Sequence, residues 1–550
     1  MSVKAIEPVL IVGAGPTGLT LALTLAKNGV PVRVINKAHT LHLEQRGLAI
    51  EGTSLRPVNL YKIPGGTEVV STMNLSSHEA STPTKPLNNT FQVPQFCTEA
   101  ILRSHLQAQG YAVEMGTELV SFTQFDDRVE ATIKNSTGGS ETIETKSYRW
   151  VVGADGGKSV VRKQLGLSFE GSSMPERWVM GELQLEGLDE EHWHAWRKAQ
   201  PRKVSVLLLT RVPTISVLIR AVESGRFFFI ISGGIDSDKV LASKDALKAA
   251  LRNGTDRPNL AIGDTMYTTD YRPSVRMVNK FGEGRVFVAG DAAHVHSPRG
   301  GQGLNSGVKD AFNIGWKLAL VHKGLAPRAL LETYTEERLP VIAAMLQETV
   351  KLTETQRTMA NQQDVERIKT AMSQGNYLKQ FGINYRWSSI VLDERAPWGA
   401  DEERDPYGVE IGESLRAGDR APDVAGLVRT NSQKTSLFDG VLSPTHHTAL
   451  IFGEDASRIS SIVEAIRPLP QGTVASVVVL PSGSGAAAAV GGADTTLVDS
   501  DGTAYDAYGA ADGNLKTLAV IVRPDGVVGA IVSGPEGVTR YFGHIVIVKN

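Results

Sequence analysis

Residues 8–37 read PVLIVGAGPTGLTLALTLAKNGVPVRVINK, and this stretch decides the fold. The apolar run Val9 to Val12 predicts a buried strand, and Leu19, Leu23 and Ala26 recur at helical spacing. Gly29 supplies a stop, after which Val32 and Val34 alternate as in a second strand. The product is a βαβ unit whose turn carries Gly13-x-Gly15-x-x-Gly18.

In such a turn the first glycine permits a tight bend, the second lets a pyrophosphate approach the backbone, and the third lets helix and strand pack closely. The first N–H groups of the helix then face the phosphates. The end of the second strand departs from the dinucleotide-binding pattern, because Asn36 and Lys37 stand where an acidic residue usually bonds a ribose. Asn36 can accept a ribose hydrogen bond only through a neutral amide oxygen, which weakens a dehydrogenase reading.

Outward from this unit, the 550 residues require more than one ordinary core. A formal net charge of -2 gives no broad attraction for nucleic acid or anionic lipid, so a small molecule is the expected partner. Cys97 is the sole cysteine, so no intramolecular disulfide can form. No secretory leader pattern opens the chain, and no apolar run approaches the ~20 residues of a bilayer-spanning helix. A soluble, cytoplasmic protein without membrane association is expected.

The α/β block carrying the glycine turn is read as residues 1–176 and resumes over 279–395, ending in helical sequence. Between them, over 177–278, RWVMGELQLEG, KVSVLLLT, TISVLIRAV and RFFFIISGG follow one another with a single helical interruption, KDALKAALRN. Strand upon strand predicts an inserted antiparallel sheet. A turn-rich linker is placed at 396–411, and a further α/β block at 412–550.

The segment GDAAHVHSPRGGQGLN, Gly290 to Asn305, admits two readings. Asp291, His294 and His296 could hold a metal, whereas the glycine-rich tail suits backbone that closely approaches a ligand. Two further strand-end turns bear on the choice. GADGGKSVVRKQLG places Asp155 and Gly156 ahead of a basic helix start with Lys158 and Arg162, and GRVFVAGDAAH places Gly290 and Asp291 directly after a buried strand.

These turns, taken in order with the N-terminal glycines and the inserted sheet, resemble the group A flavoprotein aromatic hydroxylases over roughly residues 8–350. HSPRGGQGLNSGVKDAFNIGWKLALV resembles the phenol hydroxylase branch. LRAGDRAPDV, SLFDG and VIVRPDGVVGA look like the C-terminal thioredoxin-like domain of that branch. Without cysteine this domain cannot perform thiol chemistry, so a structural or oligomeric role, in a homodimer, is expected.

The resemblance implies a Rossmann-type FAD-binding domain with an inserted substrate sheet and no metal. In that scheme transient NADPH or NADH reduces FAD, and dioxygen gives a C4a-hydroperoxyflavin that hydroxylates a phenolic or other aromatic substrate. It further implies that Asp291 meets a ribityl hydroxyl, Gln95 the ribityl chain, and Arg46 and Arg103 the phosphates. Pro298, Gly301, Gly303, Leu304 and Asn305 would border the flavin ring, and a helix starting there would stabilise negative charge on the reduced ring. Side chains larger than glycine at 300, 301 or 303 would crowd the ring. Tyr271, Tyr267 and Arg220 are the candidates, by position, for favouring a substrate phenolate.

Decarboxylative hydroxylation and Baeyer-Villiger insertion on a polyketide are open alternatives, as is a non-enzymatic binding module on the same scaffold. No G-x-S-x-G elbow supports a hydrolase, and the WxWxIP pattern of flavin halogenases is missing. No second glycine-rich unit is evident, which leaves NADH against NADPH undecided.

Overall fold

The computed structural model describes residues 7–40, 53–74, 78–89, 91–137, 139–173, 177–199, 214–296, 301–358, 380–408, 414–484, 492–511 and 517–548. Strand β1 (Val9–Val12), helix α1 (Pro16–Lys27) and strand β2 (Val32–Asn36) form the expected unit. β1 lies inside a six-stranded sheet, with β2 on one side and Trp150–Gly153 on the other. Both pairings are parallel, and Val286–Val288 extends the sheet in the same direction. Every residue of β1 and of Trp150–Gly153 is buried, as a parallel sheet covered on both faces requires.

α1 buries Leu19 and Ala26 but leaves Leu23 partly exposed, and it is covered around most of its circumference, with Leu21, Ala22 and Leu25 among the buried positions. The reason is a second cover, because helix Gln302–His322 packs on it from outside the sheet. A Cβ at Gly315 would meet the Thr24 side chain at 2.8 Å, so this glycine lets the two helices approach. Since β1, Trp150–Gly153 and Val286–Val288 run the same way, their carboxyl ends lie along one edge of the sheet. The turns at Gly13, Asp155 and Asp291 are thereby brought side by side.

The inserted part is a seven-stranded sheet in the order Ala261–Tyr271, Trp178–Glu186, Arg226–Gly233, Thr214–Glu223, Trp193–Ala199, Val58–Tyr61 and Val69–Met73. Its last two strands come from the first α/β segment, ahead of residue 177, and Val58–Tyr61 joins parallel to Trp193–Ala199. KVSVLLLT lies outside the described residues. One face of this sheet buries Val217, Ile219, Phe227, Phe229 and Ile231 against helix Lys244–Thr255. The opposite face carries Trp178, Phe228 and Ile230, of which Phe228 and Ile230, with Met180, face the glycine turns.

The C-terminal block contains an eight-stranded sheet centred on His447–Gly453 and Val474–Pro481. These two are parallel and linked through helix Ala456–Ile466, while Thr517–Val522 and Val528–Val532 add antiparallel. The short strand Leu392–Asp393 already pairs with Val528–Val532, ahead of the stretch read as a linker. The apolar core of this block is continuous with that of the nucleotide-binding part, through Trp316, Ile459, Val538 and Phe542 among others. Among the described residues no helix is long and apolar enough to cross a membrane.

Candidate active site

A cavity of about 1070 Å³ opens along the sheet edge and is lined by Gly13, Gly15, Asp155, Gly156, Asp291 and Leu304 together. The glycines have distinct structural reasons. Gly13 has φ +106°, and a Cβ there would strike the Ala154 carbonyl; a Cβ at Gly18 would strike the Gly13 carbonyl. Gly15 has φ -73° and ψ -179°, and an added Cβ would meet nothing within 4 Å, because this position faces the cavity.

Asp155 Oδ2 accepts from the amides of Val160 at 2.7 Å and Val161 at 3.3 Å, at the start of helix Val160–Gln164 that Ser159 caps, while its Oδ1 is buried without a hydrogen-bond partner. Arg162 ties this turn to the next one. Its guanidinium donates to the carbonyls of Gly157 and Ala292, both at 2.9 Å, and stacks 3.7 Å from the Phe169 ring centroid.

Gly290 has φ +60°, and a Cβ there would press on Thr17 Oγ1 at 2.5 Å. Its amide donates to Asp310 Oδ2 at 3.0 Å, and the same oxygen meets His294 Nε2 at 2.6 Å. His294 is thus committed to a carboxylate of the next helix. Asp291 faces the cavity with protein on its other sides, and desolvation raises its pKa above the usual carboxylate value, opposed by His294 and reinforced by Asp310. Its exposure is to the cavity rather than to bulk water. Among the described residues no group of three His, Cys, Asp or Glu could hold a metal ion.

Gly301, at φ +63°, caps helix Gln302–His322 without a side-chain hydrogen bond, and Gly301, Gly303 and Leu304 line the cavity. Asn305 Nδ2 turns back to the Gly301 carbonyl at 3.2 Å. A Cβ at Gly303 would meet His296 Nε2 at 2.7 Å, so His296 supplies the nearest steric limit, whereas one at Gly301 meets nothing within 4 Å. Arg46, Pro298 and Gly300 lie outside the described residues.

Asn36 and Lys37 also line the cavity, with Gln95 and Arg103 from α2 (Gln95–Ala108). Asn36 Oδ1 already receives the Ala38 amide at 3.4 Å. The chain carries an unforeseen member here: Glu99 accepts from Gln95 Nε2 at 2.7 Å and pairs with Arg103 Nη1 at 3.5 Å. Positions 95, 99 and 103 lie on one helical stripe, a spacing visible in the sequence.

Of the three substrate-side candidates, only Tyr271 lines the cavity, beside Met180, Phe228 and Ile230. Burial, with Asp291 adding to it, pushes its hydroxyl up to about 12, so it is protonated at neutral pH. Arg220 and Tyr267 do not line the cavity, although both stand in the cross-strand row of Phe228, Arg220 opposite Phe228 and Tyr267 opposite Glu182. Arg220 is buried between the Trp193 and Phe228 rings, its Nε and Nη2 lack hydrogen-bond partners, and burial lowers its pKa to about 10.

Residues 7–349 match the sequence pattern of the FAD binding domain family. A flavin-dependent monooxygenase of Mycobacteroides abscessus is 32% identical over 98% of this chain and 100% of its own. The 6-methylpretetramide 4-monooxygenase of Streptomyces rimosus is 35% identical over 62% of this chain and 60% of its own. The chain belongs to the FAD-dependent aromatic monooxygenases. The same fold occurs in the solved monooxygenase PieE in complex with FAD and substrate, with a TM-score of 0.77 at 21% identity over 98% of this chain and 99% of that one. Aklavinone-11 hydroxylase, solved with FAD and aklavinone, gives 0.76 at 22% identity over 98% of each chain.

The cavity of this flavin-dependent aromatic monooxygenase fits FAD on its own evidence. At about 1070 Å³ it lies just above the ~300–1,000 Å³ range of small-molecule sites, as a dinucleotide plus substrate would require. Gly15 leaves backbone open where a phosphate needs close approach, Asp155 Oδ1 is an orphaned acceptor, and two helix N-termini begin at its wall.

Proposed function

We propose that this monooxygenase hydroxylates a phenolic ring held between the Asp291 turn and the apolar face of the inserted sheet, with NADPH or NADH and dioxygen as cosubstrates. The observation that carries the reading is the shared wall: Tyr271 and Asp291 border the same cavity as Met180, Phe228 and Ile230. FAD, when bound, supplies the redox chemistry that turns nicotinamide electrons and dioxygen into ring hydroxylation. The chain's own tasks are to hold, orient and exclude water.

The Gly15 backbone and the start of α1 would take the pyrophosphate, Asp291 the ribityl hydroxyls, and Asn36 and Lys37 the adenosine end, with Gln95 and Arg103 alongside. The helix start at Gln302 would direct N–H groups at the ring edge that becomes negative on reduction. Tyr271, protonated at neutral pH, would donate to a phenolate oxygen and keep it electron-rich. Apolar Met180, Phe228 and Ile230 would keep water from the reacting centre.

We assign the C-terminal block as a thioredoxin-like domain, a reading supported by the connectivity His447–Gly453, helix, Val474–Pro481, then antiparallel Thr517–Val522 and Val528–Val532. Assembly as a homodimer is the accompanying expectation, read by sedimentation. The deciding experiment follows NAD(P)H consumption with phenols, hydroxybenzoates and polycyclic polyketides, scoring products one oxygen heavier. Purified protein that takes up no FAD, or that passes all electrons to hydrogen peroxide with every compound, would remove this reading.

A further inference from the structure

The described residues contain two adjoining clusters of buried charge that the proposed chemistry does not use. In the first, Glu337 on helix Thr333–Thr358 receives Arg523 on both oxygens, at 2.7 and 2.9 Å, with Lys317 at 2.7 Å and Ser388 at 2.7 Å. Arg523 directly follows strand Thr517–Val522 of the C-terminal sheet, in the turn to Val528–Val532, and is oriented by Asp525, with Nε at 3.0 Å from Oδ1. The Glu337, Lys317 and Arg523 side chains are all fully buried.

In the second, the next residue of the same helix, Arg338, donates to Asp310 Oδ1 at 2.7 Å and to the Tyr385 hydroxyl at 2.9 Å. The other oxygen of Asp310 holds the Gly290 amide and His294, which bracket Asp291. Tyr385 links the clusters a second time, since Arg523 lies 5.6 Å from its ring centroid. Buried ion pairs stay stable only with close geometry, so displacing one member leaves its neighbour's charge uncompensated and forces a shift.

We propose that the C-terminal block is a remote brace for the Asp291 turn: Arg523 seats Glu337, the following Arg338 is thereby fixed on Asp310, and Asp310 sets the Gly290–His294 backbone that presents Asp291. Arg523 and Asp310 are positioning residues, and the block's contribution is to flavin retention. The inference rests on the reading that the Asp291 turn receives FAD.

The test uses the full chain and two readouts, FAD affinity by fluorescence titration and hydrogen exchange of segment 286–296 in FAD-free protein. Arg523→Gln is expected to weaken FAD binding by about fivefold or more and to speed exchange at 290–294, with Asp525→Asn doing the same more mildly. In an Asp310→Asn background, adding Arg523→Gln should change affinity by less than about twofold, because the connection is already cut. Multiplying losses, or an Arg523→Gln protein with native affinity and exchange, would overturn the brace. If Arg523→Gln does not fold, unchanged affinity and exchange in Asp525→Asn overturn it equally. Asp291→Ala separates the two ideas: if it retains FAD normally, the flavin reading fails, and if it loses FAD while Arg523→Gln does not, only the brace fails.

Discussion

Gly15→Ala separates the two reasons a glycine stands in this turn. At φ -73° and ψ -179° the backbone of Gly15 suits any residue, and the new methyl would meet nothing within 4 Å. The fold should therefore hardly notice: about 0.4–1 kcal/mol gained by restricting the unfolded chain opposes about 1 kcal/mol of poorer helix capping. FAD should notice, because the methyl stands where the pyrophosphate must approach. Crowding of this kind costs about 1–3 kcal/mol, or roughly 5- to 150-fold in affinity. Gly13→Ala should do the reverse, since φ +106° and the Ala154 carbonyl oppose any side chain. It combines about 1–3 kcal/mol of backbone strain with a comparable overpacking cost, and should lower the melting temperature of FAD-free protein. Fluorescence titration and differential scanning fluorimetry of both apoproteins read the two effects. If Gly15→Ala binds FAD within twofold of wild type, the phosphate does not lie where the open space was taken to put it.

Gly303→Val should reduce FAD binding or flavin reduction by at least about tenfold, as the side chain meets His296 first; a rapid-scan reduction rate equal to wild type would contradict this. Tyr271→Phe should keep FAD affinity and lower kcat/KM about tenfold or more, measured as coupled product formation. Because burial raises Tyr271 to about 12, wild-type turnover should show no step attributable to this hydroxyl on passing pH 10. Glu337 is held well below its ordinary value of 4.5 by Arg523 and Lys317 despite its burial. A carboxylate with a depressed folded pKa contributes its stability in full above its unfolded value and loses it as acid is added. The melting temperature should therefore fall below about pH 4.5 in wild type and less steeply in Glu337→Gln.

What the sequence disclosed follows from how sharply each feature constrains residue type. Tight turns and close backbone approaches admit little but glycine, so Gly13, Gly18 and Gly290 mark their own positions. Parallel strands then carry their turns to one edge, which makes Asp155 and Asp291 legible as strand-end residues. The substrate side was less legible. Alternation tells which face Tyr267, Tyr271 and Arg220 share, but not which of them reaches the cavity: Arg220 and Tyr267 share a cross-strand row with Phe228, which lines it, yet of the three only Tyr271 does so. The addition of Val58–Tyr61 to the inserted sheet depends on a pairing across more than a hundred residues, for which the local pattern holds no mark. Glu99 was within reach, since its spacing from Gln95 and Arg103 is helical.

That same parallel pairing limits how the molecule can be taken apart. Cutting out residues 177–278 as a portable recognition module would strip Trp193–Ala199 of its neighbour Val58–Tyr61. A raw ladder of unpaired backbone groups beside Trp193 and Ala195 would then face solvent, an invitation to aggregate. Swapping specificity between relatives calls for transplanting 58–73 along with the insert, as a single non-contiguous cassette.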